Sequence, residues 1–159
     1  MRVGIGYDSH RFGSERPLML GGIHVPHTAG LIGHSDADVV AHAVTDAVLG
    51  AASLGDIGTH FPPTEERWRG ADSIGLLRAA ADILAGNNYQ VLNIDVTVVC
   101  EMPRVAPHAP AMCARIADAL GIGPQHVSVK GKSNEGMGWI GRGEGIAAIA
   151  VALVSTVDG

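Results

Sequence analysis

Histidine and aspartate recur at short intervals near the start of the chain, in two segments that predict a strand and a helix. In the first segment, apolar side chains at the odd positions from Val3 to Tyr7 alternate with small or polar residues, as in a half-buried strand. Asp8 and His10 would then point to the same face of that strand. Carboxylate and imidazole groups are common ligands of zinc, so this pair is a candidate for part of a metal site.

The second segment predicts a helix that begins near Ser35 and ends near Gly50. Asp38, His42 and Asp46 follow one another at intervals of four residues, which places them on one helix face. His42 could complete a set of three protein ligands and leave a fourth position open, as in catalytic zinc sites. Asp46 would then orient the His42 ring. Spacing alone leaves open a solvated or core histidine, and Ser35 with Asp38 also fits a capping box.

The remaining pattern predicts an α/β fold, an α+β sandwich with a mixed sheet of about four main strands. Helices would pack on one face of this sheet, and a small hairpin would form around Gly21-Gly22. The strand over 91–100 would turn Leu92, Ile94, Val96 and Val98 to its apolar side, and the apolar run over 146–154 would need cover on both faces. Helices are predicted from Asp72-Ser73 to Gly86 and from Pro107 to Gly121, and 55–65 and 132–145 are candidate ligand loops.

Composition favours a single domain over 1–159 and narrows the range of partners. Apolar residues make up 47% of the chain and charged residues 17%, so part of its surface is expected to lie against other subunits. A formal charge of -5 without a basic cluster argues against nucleic acid or an anionic membrane as the main partner. Cys100 and Cys113 lie in no metal-binding spacing, and the sequence shows no secretory or membrane segment, so a reduced cytoplasmic setting is expected.

The order and spacing of a larger set of residues resemble the 2-C-methyl-D-erythritol 2,4-cyclodiphosphate synthase family over essentially the whole chain. The matching residues are Asp8-Ser9-His10, His34 to Asp38, His42, Asp46, Gly55 to Gly58, Phe61-Pro62, Pro103, Pro107-His108, Asn134-Glu135 and Gly141 to Ile146. The resemblance implies a metal-dependent lyase of the non-mevalonate isoprenoid pathway. It would convert 4-diphosphocytidyl-2-C-methyl-D-erythritol 2-phosphate to the cyclic diphosphate and CMP, as a homotrimer with active sites between neighbours and one sheet face toward the trimer interior.

The same resemblance implies roles for individual residues. Asp8, His10 and His42 would hold Zn²⁺, and Glu135 would ligate a second ion, Mg²⁺ or Mn²⁺. The expected catalytic residues are His34 and Ser133. Contacts to the methylerythritol phosphate are expected from His34, Ser35, Asp56, Ile57, Gly58, Phe61, Pro62, Pro63, Thr64 and Glu65. The cytidine pocket and α-phosphate contacts, from the neighbouring subunit, would involve Cys100, Pro103, Arg104, Val105, Ala106, Gly131, Lys132 and Ser133, with further substrate contacts from Asn134 and Glu135. Tyr7, Trp139, Arg142 and Glu144 would line an axial cavity able to take an isoprenoid diphosphate.

Two alternatives remain open. The same three ligands could activate water in a metal-dependent phosphoester hydrolase, or the chain could be a noncatalytic module that binds isoprenoid diphosphates. Lys132 and Ser133 stand where the family usually has paired threonines, and Arg104 where it has lysine. Ser133 keeps a hydroxyl for a phosphate contact, whereas Lys132 offers a positive charge instead.

Overall fold

A mixed five-stranded sheet forms the centre of the protein in the computed structural model, which describes residues 1–157. In chain order the strands are β1 (Arg2–Ser14), β2 (Met19–Leu20), β3 (Ile23–His24), β4 (Gly30–Leu31), β5 (Tyr89–Val99), β6 (Val127–Lys132) and β7 (Gly145–Thr156). The order across the sheet is β4-β1-β7-β5-β6, while β2 and β3 form a separate hairpin. β5 and β6 pair in parallel and the other neighbours are antiparallel. The predicted α/β class, mixed sheet and hairpin are confirmed, with short β4 as an additional edge strand.

Helices cover one face of this sheet. They are α1 (Val39–Ala51), α2 (Ile57–His60), α3 (Ser73–Gly86), α4 (Ala109–Leu120) and α5 (Gly138–Gly141). α1 packs on β1 and β7, α4 packs on β6, and α3 lies against both helices and β5. The predicted bounds of α3 and the predicted end of α4 are confirmed, because Asp72 caps the first helix and left-handed Gly121 ends the second. α4 begins at Ala109, two residues later than predicted, because Pro107 lies in a 3-10 turn before it.

The close approach of α1 to β1 depends on glycine. A Cβ atom at Gly6 would lie 1.9 Å from the Ala43 carbonyl oxygen, and Gly4 is equally confined. Because these glycines let the helix lie directly on the strand, Asp8 and His10, which follow on the same strand face, come within reach of the helix. β1 therefore turns Gly4 and Gly6 toward the core.

The opposite face of the sheet is open within residues 1–157 and carries apolar side chains. Val3 is 69% exposed and Ile5 is 70% exposed, and Tyr7, Ile149 and Val151 are also exposed. The strand over 146–154 has the predicted helical cover on one face, where alanines of β7 pack under α1. Cover of its other face by a neighbouring subunit stays a prediction.

The start of α1 differs from the prediction because Asp38 caps the helix instead of belonging to it. The helix begins at Val39, four residues after Ser35. Asp38 is fully buried, so it does not share the partly exposed helix face of His42 and Asp46. Its carboxylate accepts hydrogen bonds from the backbone N–H groups of Gly21, Gly22, Val40 and Ala41, which ties the hairpin turn to the helix.

Three other details differ from the sequence predictions. The register of β5 shifts between Val91 and Asn93, so Val91 is buried and Leu92 is only half-buried. This irregularity has the form of a β-bulge, which reverses the alternation on one side of it. The two segments expected to be loops, 55–65 and 132–145, each contain a short helix, α2 and α5 respectively.

Candidate active site

Asp8, His10 and His42 bring three ligand atoms together where β1 meets α1. Asp8 Oδ2 lies 3.0 Å from His10 Nε2 and 3.0 Å from His42 Nδ1. The two histidine nitrogens are 3.4 Å apart. The predicted pairing of a strand Asp-x-His with a helix histidine therefore brings these three residues together, and within residues 1–157 no other group of three such side chains is as close.

The remaining ring nitrogens are held by groups behind the triad. His10 Nδ1 lies 2.7 Å from the Ile32 carbonyl oxygen, which can only accept, so this nitrogen carries the proton and Nε2 faces the triad. His42 Nε2 lies 2.8 Å from Ser73 Oγ and 3.0 Å from Ser35 Oγ. The nitrogen that each histidine turns toward Asp8 is therefore the one free of these outer contacts.

The charges of the triad favour an ionised Asp8. Burial by itself would raise its pKa, but hydrogen bonds and charge interactions with His10 and His42 lower the pKa to about 2. Burial likewise opposes the charged form of His10, yet its hydrogen bond to Asp8 and the carboxylate charge raise the pKa of His10. The triad therefore stabilises a carboxylate beside positive charge.

The triad could hold a metal ion. Zinc with nitrogen and oxygen ligands at about 2.0–2.2 Å in a tetrahedron would separate its ligand atoms by about 3.3–3.5 Å. The observed separations of 3.0, 3.0 and 3.4 Å approach those of one tetrahedral face. One carboxylate and two imidazoles also match the ligand types of catalytic zinc sites, which leave a further position open.

The expectation that Asp46 orients His42 is not met. Asp46 Oδ1 accepts a hydrogen bond from the Ile57 backbone N–H at 2.8 Å and so positions the start of α2. The ring nitrogens of His42 have other partners, among them Ser73. Ser73 was missed because Asp72-Ser73 is an ordinary helix start, and sequence spacing gives no indication that this start lies beside His42.

A cavity of about 260 Å³, here called the triad cavity, opens over the three ligands. Nine of its lining residues are among those predicted, namely Asp8, His10, His34, Ser35, His42, Ile57, Gly58, Phe61 and Pro63. Trp68 and Leu76 also line it and were not predicted. Trp68 packs edge-to-face on Phe61 with ring centroids 5.2 Å apart. Its position in a polar, proline-rich stretch gave no pattern from which this contact could be predicted.

Arg16 holds the segment that carries His34 and Ser35. Its guanidinium donates to the carbonyl oxygens of Ser35 at 2.6 Å, Gly33 at 3.0 Å and Leu31 at 3.1 Å. Such a fork of charged donors fixes an irregular segment that makes few ladder hydrogen bonds. Arg16 is therefore a structural support of the triad cavity that the sequence did not indicate.

A second cavity, here called the edge cavity, lies at the ends of β5 and β6 and has a volume of about 350 Å³. Its lining contains all eight residues predicted for the cytidine pocket, Cys100, Pro103, Arg104, Val105, Ala106, Gly131, Lys132 and Ser133, together with Glu101. A Cβ atom at Gly131 would lie 2.8 Å from the Val105 Cβ, so glycine lets Val105 pack closely on β6 at this wall of the cavity. Arg104 and Lys132 make its wall locally basic in an acidic protein.

Glu101 ties the edge cavity to the loop that carries Glu135. Its Oε1 accepts from the backbone N–H groups of Asn134 at 2.8 Å and Gly136 at 3.3 Å. Glu135 between them is left-handed, with φ 52°, and accepts a hydrogen bond from Ser133 Oγ at 3.1 Å. The protomer places Glu135 beside the edge cavity and not among the triad ligands.

Other predicted residues are arranged around these cavities. Trp139 and Glu144 line a separate hollow together with His10, while Arg142 pairs with Glu144 at 2.6 Å. Tyr7 lies exposed on the open sheet face. The linings do not include Asp56, which caps α2, or Pro62, Thr64, Glu65, Asn134 and Glu135, which flank the cavities in the chain.

Strand register relates the triad and edge cavities. Asp8 pairs with Ala148, which pairs with Val98, which pairs with Gly131. One row therefore crosses from β1 to β6 over three interstrand spacings, or about 14 Å. The two cavities lie at the same end of the sheet but share no lining residue.

A model of the YgbB family matches residues 1–155, and the chain belongs to that family. Its relatives include the 2-C-methyl-D-erythritol 2,4-cyclodiphosphate synthase of Symbiobacterium thermophilum, 56% identical over 98% of this chain and 99% of the relative. A synthase structure of the same name in a CDP-bound form is 34% identical, with a TM-score of 0.88 over 97% of this chain and all of that one. The bifunctional IspDF from Campylobacter jejuni is 39% identical to this chain, with a TM-score of 0.94. The match covers 98% of this chain and 42% of the IspDF chain.

Proposed function

We propose that this chain is an enzyme that converts 4-diphosphocytidyl-2-C-methyl-D-erythritol 2-phosphate to 2-C-methyl-D-erythritol 2,4-cyclodiphosphate and CMP. The observation that carries this proposal is a group of three potential metal ligands, Asp8, His10 and His42, at the same end of the sheet as the edge cavity, in a chain 56% identical to a synthase of that name. The product would serve isoprenoid precursor biosynthesis by the non-mevalonate route, and the enzyme would be a lyase.

In this reaction an oxygen of the 2-phosphate attacks the β-phosphorus of the same molecule. The bond from the β-phosphorus to the bridging oxygen breaks, and CMP leaves with that oxygen. A phosphate monoester has a second pKa of about 6 and is largely dianionic near neutral pH, so the attacking oxygen needs no general base. The protein must instead fold the substrate back on itself and reduce repulsion between its anionic groups.

Metal ions would reduce the repulsion between the anionic groups of the substrate. Zn²⁺ held by Asp8, His10 and His42, with Mg²⁺ or Mn²⁺ held by Glu135, would neutralise phosphate charge and stabilise the leaving CMP phosphate when bound. Imidazole with carboxylate is a zinc-type ligand set, whereas a single carboxylate beside substrate phosphates is typical of magnesium.

The triad cavity would take the methylerythritol phosphate. His34 would contact the reacting phosphates as a catalytic residue, and Ser35 would contact the erythritol part of the substrate beside it. Ile57, Gly58 and Phe61 supply apolar contact for the carbon skeleton, and Asp56 a carboxylate for its hydroxyls. Further contacts would come from the segment after Phe61, consisting of Pro62, Pro63, Thr64 and Glu65.

The edge cavity would take the cytidine and α-phosphate. CDP occupies a synthase structure that matches this chain with a TM-score of 0.88, and the walls from Cys100 to Ala106 and from Gly131 to Ser133 enclose a volume of about 350 Å³. Ser133 would act as the second catalytic residue through a phosphate contact. Arg104 and Lys132 would add charge attraction.

We infer a homotrimer in which the substrate bridges the edge cavity of one subunit and the triad cavity of its neighbour. The exposed apolar face of β1 and β7 supports this inference, since a patch of that kind is typical of an interface. Tyr7, Trp139, Arg142 and Glu144 would then surround the axial cavity and could accept an isoprenoid diphosphate. A single hydrophobic core joins the sheet and helices, which supports one domain over 1–159.

We place the enzyme in the cytoplasm. The reduced cysteines Cys100 and Cys113 are compatible with that compartment. Among the described residues, the helices are too short or too polar to cross a bilayer.

The test is phosphorus NMR of the purified protein with the proposed substrate and Mg²⁺ or Mn²⁺, with and without a chelator. We expect a cyclic diphosphate and CMP in equal amounts, and we expect the chelator to prevent both. His42→Ala should abolish turnover and lower the zinc content of a folded protein, because one of three ligands is lost. His24→Ala removes an exposed histidine of β3 and is the matched control, which should keep full activity.

Other products would point to the alternatives. A linear product carrying oxygen from labelled water would indicate a hydrolase, and binding of an isoprenoid diphosphate without turnover would indicate a noncatalytic module. Full activity after complete removal of metal would contradict the assignment of the triad.

A further inference from the structure

A carboxylate and a hydroxyl lie in line behind His42, on the side away from the other two ligands. Ser73 Oγ is 2.8 Å from His42 Nε2 and makes a short hydrogen bond to Asp36 Oδ1. Asp36 is itself fixed, because its oxygens accept from the backbone N–H groups of Asp38 and Ser73 at 3.1 Å each. Ser73 is completely buried, so solvent does not compete for these contacts.

The number of available hydrogens fixes the direction of each bond in this line. A carboxylate has no hydrogen to donate, so the bond between Asp36 and Ser73 uses the single hydroxyl hydrogen of Ser73. Ser73 Oγ can then only accept from His42. His42 Nε2 must therefore carry a ring hydrogen. When zinc is bound, Nδ1 is then the nitrogen that offers its lone pair on the side of Asp8 Oδ2 and His10 Nε2.

Ser35 agrees with this arrangement. Its hydroxyl oxygen accepts from the Ala37 backbone N–H at 3.2 Å and lies 3.0 Å from His42 Nε2. Its own hydrogen can be donated to Ser73 Oγ, 3.3 Å away. The His42 N–H is thus shared by two accepting hydroxyls, and no donor faces it.

We propose that Asp36 and Ser73 are positioning residues that fix the tautomer and orientation of His42, so that Nδ1 is the metal-binding atom. Histidine ligands in metal sites usually donate their second N–H to a carboxylate or carbonyl group. Here the carboxylate acts through an interposed serine hydroxyl, contributed by the first residue of α3. This inference rests on the metal site of the proposed function.

The test compares Ser73→Ala with a variant that disturbs the same helix start without touching His42. Asp72→Ala provides that control, because Asp72 caps α3 through the Ile74 backbone N–H at 3.1 Å. We expect Ser73→Ala to weaken zinc binding by about 10- to 100-fold in competition with a chelating dye. Asp72→Ala should lower the stability of α3 and leave zinc affinity within about twofold of the wild type.

Asp36→Asn gives a second, independent measurement. It should weaken zinc binding in the wild-type background and have little further effect in the Ser73→Ala background, since the two residues act through one hydroxyl. The hydrogen-bonded series Asp36–Ser73–His42 is here called the relay. Equal effects of Asp36→Asn in both backgrounds, or wild-type zinc affinity in Ser73→Ala, would overturn it.

A readout without metal separates the relay from the metal site itself. In metal-free protein with ¹⁵N-labelled histidine, above the pH range in which histidine titrates, long-range NMR correlations identify the protonated ring nitrogen. Without metal, Asp8 Oδ2 can accept at Nδ1 and Ser73 Oγ at Nε2, so the two compete for one ring hydrogen. We expect a larger share of this hydrogen on Nε2 in the wild type than in Ser73→Ala. A wild-type protein that binds no zinc but shows this difference would overturn the metal site and keep the relay, whereas equal tautomer populations in the wild type and Ser73→Ala would overturn the relay.

Discussion

Cys100 has surroundings that strongly alter the chemistry of its side chain. It is 5% exposed, its thiol donates to the Pro103 carbonyl oxygen at 3.3 Å, and it lines the edge cavity. Burial, with the nearby charge of Glu101, raises the pKa of the thiol to about 11. Since the thiolate is the reactive form, Cys100 is expected to be inert at neutral pH.

The prediction concerns alkylation of Cys100 in a Cys113→Ala variant, which leaves one thiol. A pKa of about 11 means that about one thiol in a thousand is ionised at pH 8, and this fraction rises tenfold with each pH unit. The iodoacetamide rate in native protein should therefore still be rising between pH 9 and pH 10. The urea-unfolded variant is the control, and a plateau near pH 9 in the native protein would contradict the assigned pKa.

The sequence predicted the potential metal ligands better than it predicted the residues that hold them in place. Asp8, His10 and His42 could be found because their spacing on a strand and a helix implies shared faces. Ser73 and Arg16 act on the site from segments distant in sequence, and nothing in their local pattern distinguishes them from a helix start and a surface arginine. The role predicted for Asp46 was wrong because helical spacing gives the helix face of a residue but not the hydrogen-bond partner of its side chain.

At the scale of elements, the packing of α1 on β1 positions His42 over Asp8. A methyl group at Gly6 would press on the Ala43 carbonyl, which belongs to the backbone and cannot move aside. Ala43 is the neighbour of His42 in the helix, so any displacement of α1 also changes the triad.

We therefore predict that Gly6→Ala destabilises the protein by about 3 kcal/mol or more and weakens zinc binding. Gly50→Ala is the matched control in α1, because a Cβ atom there meets nothing within 4 Å and alanine favours a helix by up to about 1 kcal/mol. Urea unfolding at one fixed protein concentration measures the free energy of unfolding of the two variants and of the wild type. A Gly6→Ala protein as stable as the wild type would refute the close contact.

The alternation in β1 predicted the strand but not the direction of its faces. Val3, Ile5 and Tyr7 are large and apolar, yet they lie on the open face while the glycines face the core. Hydrophobicity patterns cannot reveal this reversal, since it depends on a helix that needs small neighbours. In β5 the same kind of pattern succeeded from Ile94 onward and failed at Leu92, where the register shifts.

On the scale of the whole molecule, the open apolar face is the feature that an assembly would cover. We predict that Ile5→Glu dissociates the proposed trimer to a protomer of 16.4 kDa, because a buried unpaired carboxylate opposes association. Ala114→Glu, on the exposed side of α4, is the control and should leave the assembly intact. Sedimentation equilibrium gives the masses, and either a monomeric wild type or an unchanged mass in Ile5→Glu would exclude this face as the interface.

The order of strands also has a consequence for how the chain folds. β7 lies between β1 and β5, and Arg2 pairs with Val154 at the far end of the chain. The centre of the sheet therefore cannot close during synthesis until residues 145–154 have left the ribosome. Contacts so distant in sequence require a large loop to close and slow folding. Until then β1 and β5 have unpaired edges, and this nascent chain is the form most exposed to aggregation.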